Sequence, residues 1–157
     1  MKVGRVSSDD DVRRFYNKYA NEYDNLRISD ETLYELIHFI LLNGVARLKR
    51  GVALDVGCGT GAQSTLLADL GYRVIGIDIA SKLLRRCAEK LSDFGSSHTT
   101  IQASARHLPF KNESMDLLVC YYNVLNHIPE YQDAISEMPR VIKKDHLIFW
   151  NLKKLHS

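Results

Sequence analysis

Ala53-Leu54-Asp55-Val56-Gly57-Cys58-Gly59-Thr60-Gly61 is the stretch that decides the fold. An apolar run carries an acid near its end, and three glycines follow at alternate positions. The run reads as a buried parallel strand. The glycines read as a turn where backbone must come very close to a ligand. Further on, a second apolar run, Tyr72-Arg73-Val74-Ile75-Gly76-Ile77, ends at Asp78. An acid at the tip of the second strand of a βαβ unit is where a ribose hydroxyl pair is held. Together the two features predict a site for an adenosine-containing molecule.

Working outward, the same alternation repeats. Strands are expected at 52–56, 73–77, Thr99–Ala103, Leu117–Tyr121 and His146–Leu152. Helices are expected from Gly61 to Leu70, over 81–94 and from Tyr131 to Ile142. Gly71 and Gly95 close the first two. Strands alternating with helices predict a doubly wound, mostly parallel α/β sheet, order 3-2-1-4-5, covered by helices on both faces. Two helices precede it. Residues 9–24 open with three acids, which suit the positive end of a helix dipole, and place Val12, Phe15, Tyr16, Tyr19 and Tyr23 on one broad face. The second runs from Asp30 to Leu48. The chain thus reads as one domain, with N-terminal helices over 1–50 and an α/β core over 51–157.

The 157 residues are 45% hydrophobic and 25% charged, ordinary for a globular protein, with a formal net charge of +2. That balance is too small to argue for nucleic acid. Basic clusters such as Arg47-Leu48-Lys49-Arg50 read as solvated element ends. No apolar stretch is long enough to span a bilayer, and no signal peptide opens the chain, so a cytoplasmic setting is expected. Cys58, Cys87 and Cys120 fit no zinc spacing and are expected to be reduced thiols. The histidines show no metal-ligand spacing, and no metal is expected.

A glycine loop with a distal acid suits a nicotinamide or flavin dinucleotide, or S-adenosylmethionine. Gly57 to Ala62 satisfies the loose G-x-G-x-x-A form. A dinucleotide, however, would set a pyrophosphate against the loop, and the Asp55 anion opposes it while suiting the ammonium of a methionine moiety. Asp78 would repel a 2′-phosphate but tolerates NAD.

At this point the chain resembles the class I S-adenosylmethionine-dependent methyltransferases, of the small-molecule type. Asp55 to Gly61 matches the family's first motif, and Gly76-Ile77-Asp78-Ile79-Ala80 is similar to its second. Leu108-Pro109-Phe110 with Asn112 to Asp116, Val124 to Ile128, and Glu137 to Lys143 resemble later segments in the right order. Phe15 to Asp24 is similar to the opening helix of many members.

The resemblance implies roles. Gly57, Cys58, Gly59 and Gly61 would back the methionine part of the cofactor, and Asp55 would hold its ammonium end. Asp78 would accept both ribose hydroxyls. Ile79 and Leu108 would sandwich the adenine, Ala105 would offer it a backbone N–H, and Tyr122 and Asn123 would line the mouth. Ser104 stands where members usually carry an acid that accepts from the adenine amino group. A neutral serine is a weaker partner, so an aspartate there is expected to bind more tightly. Lys143-Lys144-Asp145-His146 replaces the usual Lys-Pro-Gly-Gly turn, and Pro139 is expected to kink the last helix or split it.

The family's sheet normally continues with two further strands beyond strand five. The edge at 146–152, with Leu147-Ile148-Phe149-Trp150, is therefore expected to be covered by a homodimer partner or another chain. The implied activity is methyl transfer to a small-molecule acceptor. A tRNA acceptor is the alternative within the enzyme class. A non-catalytic cofactor-binding module working with a partner chain is the alternative outside it. His127, Tyr16 and Tyr23 are the candidates for a catalytic base near the mouth.

Overall fold

The computed structural model describes residues 8–27, 39, 42–45, 48–121 and 124–150, with backbone alone at 26, 27 and 147–150. Five parallel strands form one sheet: β1 (Val52–Val56), β2 (Arg73–Asp78), β3 (Thr99–Gln102), β4 (Met115–Cys120) and β5 (Ile142–Trp150). Their order is β3-β2-β1-β4-β5, as the sequence predicts. The order reverses direction at β1, so the crevice beyond its carboxyl end is where a ligand is expected.

Alternation along each strand feeds two cores. Ala53, Leu117 and Val119 face one side, with Leu67 and Ala68 of α3 (Ala62–Asp69) and Leu84, Cys87 and Leu91 of α4 (Ser81–Ser92). Leu54, Val56, Leu118 and Cys120 face the other, with Ala134, Met138 and Val141 of α5 (Tyr131–Val141). Leu54, Leu67, Leu117 and Leu118 are fully buried. Each contributes about 1.5–3 kcal/mol relative to exposure.

The first helix differs from the expected single span. α1 (Asp9–Tyr19) ends, and α2 (Tyr23–Arg27) begins after a turn in which the Glu22 N–H donates to the Tyr19 carbonyl. Tertiary contacts impose the break. Arg86 donates to the Ala20 carbonyl at 2.6 Å, and Ala20 packs with Ala80 and Leu83. Ser8 caps α1 by accepting from the Asp11 N–H at 3.2 Å. The helix expected over Asp30–Leu48 lies largely outside the described residues, though Val45, within it, is fully buried in the core.

Two corrections concern the C-terminal part. Pro139 does not split α5, which runs unbroken through its last turn. That turn is held from outside: Arg140 donates to the Leu108 carbonyl at 2.9 Å and the Phe110 carbonyl at 2.7 Å, and pairs with Glu137. β5 starts directly at Ile142, ahead of the expected His146. The register steps from Met115↔Ile142 to Leu117↔Leu147, so Asp116 alone faces Lys143, Lys144, Asp145 and His146. This bulge replaces the expected turn. Asp145 takes a left-handed conformation (φ 62°), and Lys143 bonds Asp116 at 2.7 Å. Residues 151 and 152 of the expected strand lie outside the described residues.

Candidate functional site

Each glycine of the loop has a left-handed φ, at 70° for Gly57, 55° for Gly59 and 90° for Gly61. Side chains strongly disfavour that region, so the three glycines shape the loop rather than merely permit it. A Cβ on Gly61 would lie 2.8 Å from the Cys87 Sγ, so the loop and α4 pack at backbone distance. The turn carries the chain from β1 into α3 and leaves one wall of the loop facing an open cleft.

That cleft holds about 760 Å³ of empty space, open solvent at its mouth included. It gathers Tyr16, Tyr23, Gly57, Cys58, Asp78, Ile79, Ser104, Ala105 and His127 from six different parts of the chain. Gly59 reaches it through its N–H, which donates to Asp78 Oδ2 at 3.0 Å, while the Ala80 N–H donates to Oδ1 at 2.8 Å. The Asp78 carboxylate is thereby fixed at the rim of β2. Burial pushes its pKa up, against the pull of the N–H groups of Ala80, Gly59 and Ile79.

An aromatic cluster roofs the cleft. The Tyr16 ring stands edge-on to Tyr23 and to His127, each at 5.9 Å between centroids. Tyr23 also lies over Gly59, where a Cβ would come within 3.5 Å of its ring. Burial, with Tyr23 and Asp78 nearby, pushes the Tyr16 phenol far above its usual range. It stays protonated at neutral pH. Burial lowers the His127 pKa, so its imidazole is neutral.

Other expected residues stand elsewhere. Asp55 is buried beneath the loop, where it accepts from the Ser64 hydroxyl at 2.6 Å. Gly61 caps α3 behind the wall. Leu108 belongs to the core, with its N–H donating to Glu137 at 2.8 Å. Tyr122 and Asn123 lie outside the described residues. Cys58 lines the cleft, but a contact with the Cys87 thiol and burial push its pKa well up, so it is no reactive thiolate. Among the described residues no group of three His, Cys, Asp or Glu could hold a metal ion.

The structure adds residues that sequence reasoning missed. Val12, Ala103, Val124 and Ile128 give the cleft apolar surface. Gln63, in the first turn of α3, is 7% exposed and lines the cleft, and its amide bonds to no described group. Asp9 enters from the start of α1 and accepts from Ser104 at 2.8 Å.

Comparison with known proteins gives the site its setting. A family model described as a methyltransferase domain matches residues 54–149. An uncharacterized protein of Methanocaldococcus jannaschii is 34% identical over 139 residues, covering 85% of this chain and 56% of its own. The malonyl-[acyl-carrier protein] O-methyltransferase of Hamiltonella defensa is 24% identical over 143 residues, covering 90% of this chain and 52% of its own. Phosphoethanolamine N-methyltransferase 1 of Haemonchus contortus, solved with phosphoethanolamine and S-adenosylhomocysteine, shares the fold. Its TM-score is 0.76 at 20% identity, over 92% of this chain and 32% of that one. The chain spans about half the length of these curated relatives.

Proposed function

Because this chain belongs to the class I S-adenosylmethionine-dependent methyltransferase family, we propose that its cleft binds S-adenosylmethionine and that the protein methylates a small-molecule acceptor. One observation carries the reading: the Asp78 carboxylate, the glycine-loop wall and the aromatic roof converge on a single cleft. The residues suit that cofactor. Asp78 presents a fixed acceptor for ribose hydroxyls. Asp55 sets a negative charge beneath the loop, which favours an ammonium there and opposes a pyrophosphate. Gln63 offers an unused amide to the polar methionine end.

Bound S-adenosylmethionine supplies a methyl group already activated by its sulfonium charge. The protein's part is alignment and exclusion of water. Tyr16 and Tyr23 close the cleft over the loop. Neutral His127 can take a proton from an acceptor that enters protonated.

Calorimetry with S-adenosylmethionine, S-adenosylhomocysteine and NAD tests the reading. The first two are expected to bind, and tighter binding of NAD would overturn it. Release of S-adenosylhomocysteine with panels of small hydroxyl, amine and thiol acceptors tests the activity. Salt-dependent RNA binding would favour a tRNA acceptor instead. A working partner at β5 is a further part of the proposal. Among the described residues no strand pairs with its outer edge, and an added strand from a second copy or another chain would satisfy that backbone. Light scattering over a range of concentrations reads it. A cytoplasmic setting accords with three free cysteines.

A further inference from the structure

The cleft takes its second carboxylate from an unexpected part of the chain. We infer that Asp9, on the N-terminal helix α1 and held by Ser104, recognises the exocyclic amine of the cofactor's adenine. α1 is then a specificity element as well as a wall. The inference rests on the cofactor reading given above and assigns a residue within it.

The sheet order sets three stations along the carboxyl edge. The glycine loop follows β1, and Asp78 ends the neighbouring β2. With the ribose at Asp78, the base extends toward the end of β3, which is the next strand out. There the wall consists of Ala103, Ser104 and Ala105, with Asp9 reaching in from α1.

Adenine sets an amino donor beside a ring-nitrogen acceptor. The matching wall must therefore set an acceptor beside a donor. Ser104 has spent its one proton on Asp9 and keeps a single neutral lone pair. Its hydroxyl donates to Asp9 Oδ2 at 2.8 Å, and its oxygen accepts the Arg106 N–H at 3.3 Å. Asp9 is not saturated. A carboxylate has about four lone-pair sites, and among the described residues it meets, besides Ser104, the Arg106 guanidinium alone, 3.7 Å from Oδ1. The Ala105 N–H donates to no described group. A carboxylate acceptor and a spare N–H thus stand together on one wall, in the polarity that adenine requires.

Arg106 holds this arrangement in place. It also pairs with Glu130 and Asp133 at the start of α5, which ties the beginning of α1 to the far side of the cleft. A docking role alone would explain the Asp9–Ser104 bond but not a preference for one base. An aspartate added at 104 would meet the Asp9 charge directly. Ser104→Asp alone is therefore expected to weaken cofactor binding, the reverse of what the family resemblance implies.

The test uses two ligands, S-adenosylhomocysteine and S-inosylhomocysteine, in which a carbonyl replaces the amine. Calorimetry on the wild-type chain is expected to show about tenfold or greater preference for the adenine form, the scale of one hydrogen bond to a charged group. Asp9→Asn, nearly isosteric, is expected to lose that preference while its melting temperature stays put. The exchange variant Asp9→Ser with Ser104→Asp, which moves the carboxylate across the same bond, is expected to regain it. Full preference in Asp9→Asn overturns the assignment to Asp9 and leaves the cofactor reading standing. Binding of neither ligand by the wild-type chain overturns both.

Discussion

The Asp24 carboxylate on α2 accepts a hydrogen bond from the Thr60 hydroxyl inside the glycine loop, and its other oxygen meets Lys90 Nζ of α4 at 3.1 Å. One side chain thus joins the N-terminal helices, the loop and α4. Thr60 is fully buried, so its hydroxyl loses a protein partner when Asp24 is removed.

The first prediction follows from that junction. Asp24→Ala is expected to destabilise the protein by about 1–2 kcal/mol, mostly through the stranded Thr60 hydroxyl, since the ion pairs are partly exposed. Thr60→Val with Asp24→Ala is expected to recover part of the loss. Burial works against ionisation of Asp24, but Thr60, Lys90 and Arg86 outweigh it and hold its pKa below the usual value. The contribution is therefore present above about pH 4 and is lost as pH falls through the folded value. Urea unfolding of the single and double variants at neutral and acid pH measures both effects.

A pair of glycine substitutions separates crowding from conformation. Gly61→Ala combines a φ of 90° with a Cβ 2.8 Å from Cys87 Sγ and 3.1 Å from the Cys87 Cα. Gly95→Ala has a φ of 102° and nothing within 4 Å. The second is expected to cost about 1–2 kcal/mol, the left-handed penalty alone. The first is expected to cost about 1–3 kcal/mol more, as overpacking. Equal melting temperatures for the two variants would show that the loop yields to α4.

What was legible in the sequence was local. The glycine loop, the acid at the end of β2 and the alternation of strand and helix are each written in a few neighbouring residues, and the sheet order follows from them. What was not legible depends on partners distant in the chain. The turn after Tyr19 is set by Arg86 and Ala80. The unbroken α5 depends on an Arg140 that reaches back to Leu108 and Phe110. Leu108 is apolar in either role, core or adenine wall, and its residue type alone does not separate the two. Asp9 reads as one of three acids satisfying a helix dipole, and nothing local distinguishes it from Asp10 or Asp11.

Asp78 provides a pH prediction with two opposite signs. Its pKa is raised by burial. The unliganded fold therefore has its full contribution from this group below about pH 4 and loses it as pH rises through the folded value. A ribose hydroxyl pair needs the ionised form, so affinity for S-adenosylhomocysteine is expected to rise across that same window. Asp78→Asn is expected to flatten both curves, and Asp78→Ala to weaken binding by about 1.5–3 kcal/mol. Urea midpoints and calorimetry from about pH 4 to about pH 7 give the two curves, and parallel rather than opposed trends would remove Asp78 from the ribose.

His127 decides whether the cleft holds a base. Its ring packs edge-on to Tyr16 at 5.9 Å, and burial lowers its pKa from 6.5. The fold therefore favours the neutral form. Its contribution to stability is full above about pH 6.5 and is lost as pH falls through the folded value. A neutral imidazole at the mouth can accept a proton from a hydroxyl or an ammonium, but it has nothing to do for an acceptor that arrives already nucleophilic. His127→Phe keeps an aromatic ring against Tyr16 and removes the base. It is expected to bind S-adenosylhomocysteine as the wild type does, to lose about 10²-fold or more in kcat with a protonated acceptor, and to lose the acid limb of the pH profile. Unchanged kcat in this variant, with the acid limb intact, would assign His127 to packing alone and leave the reaction to alignment by the cleft.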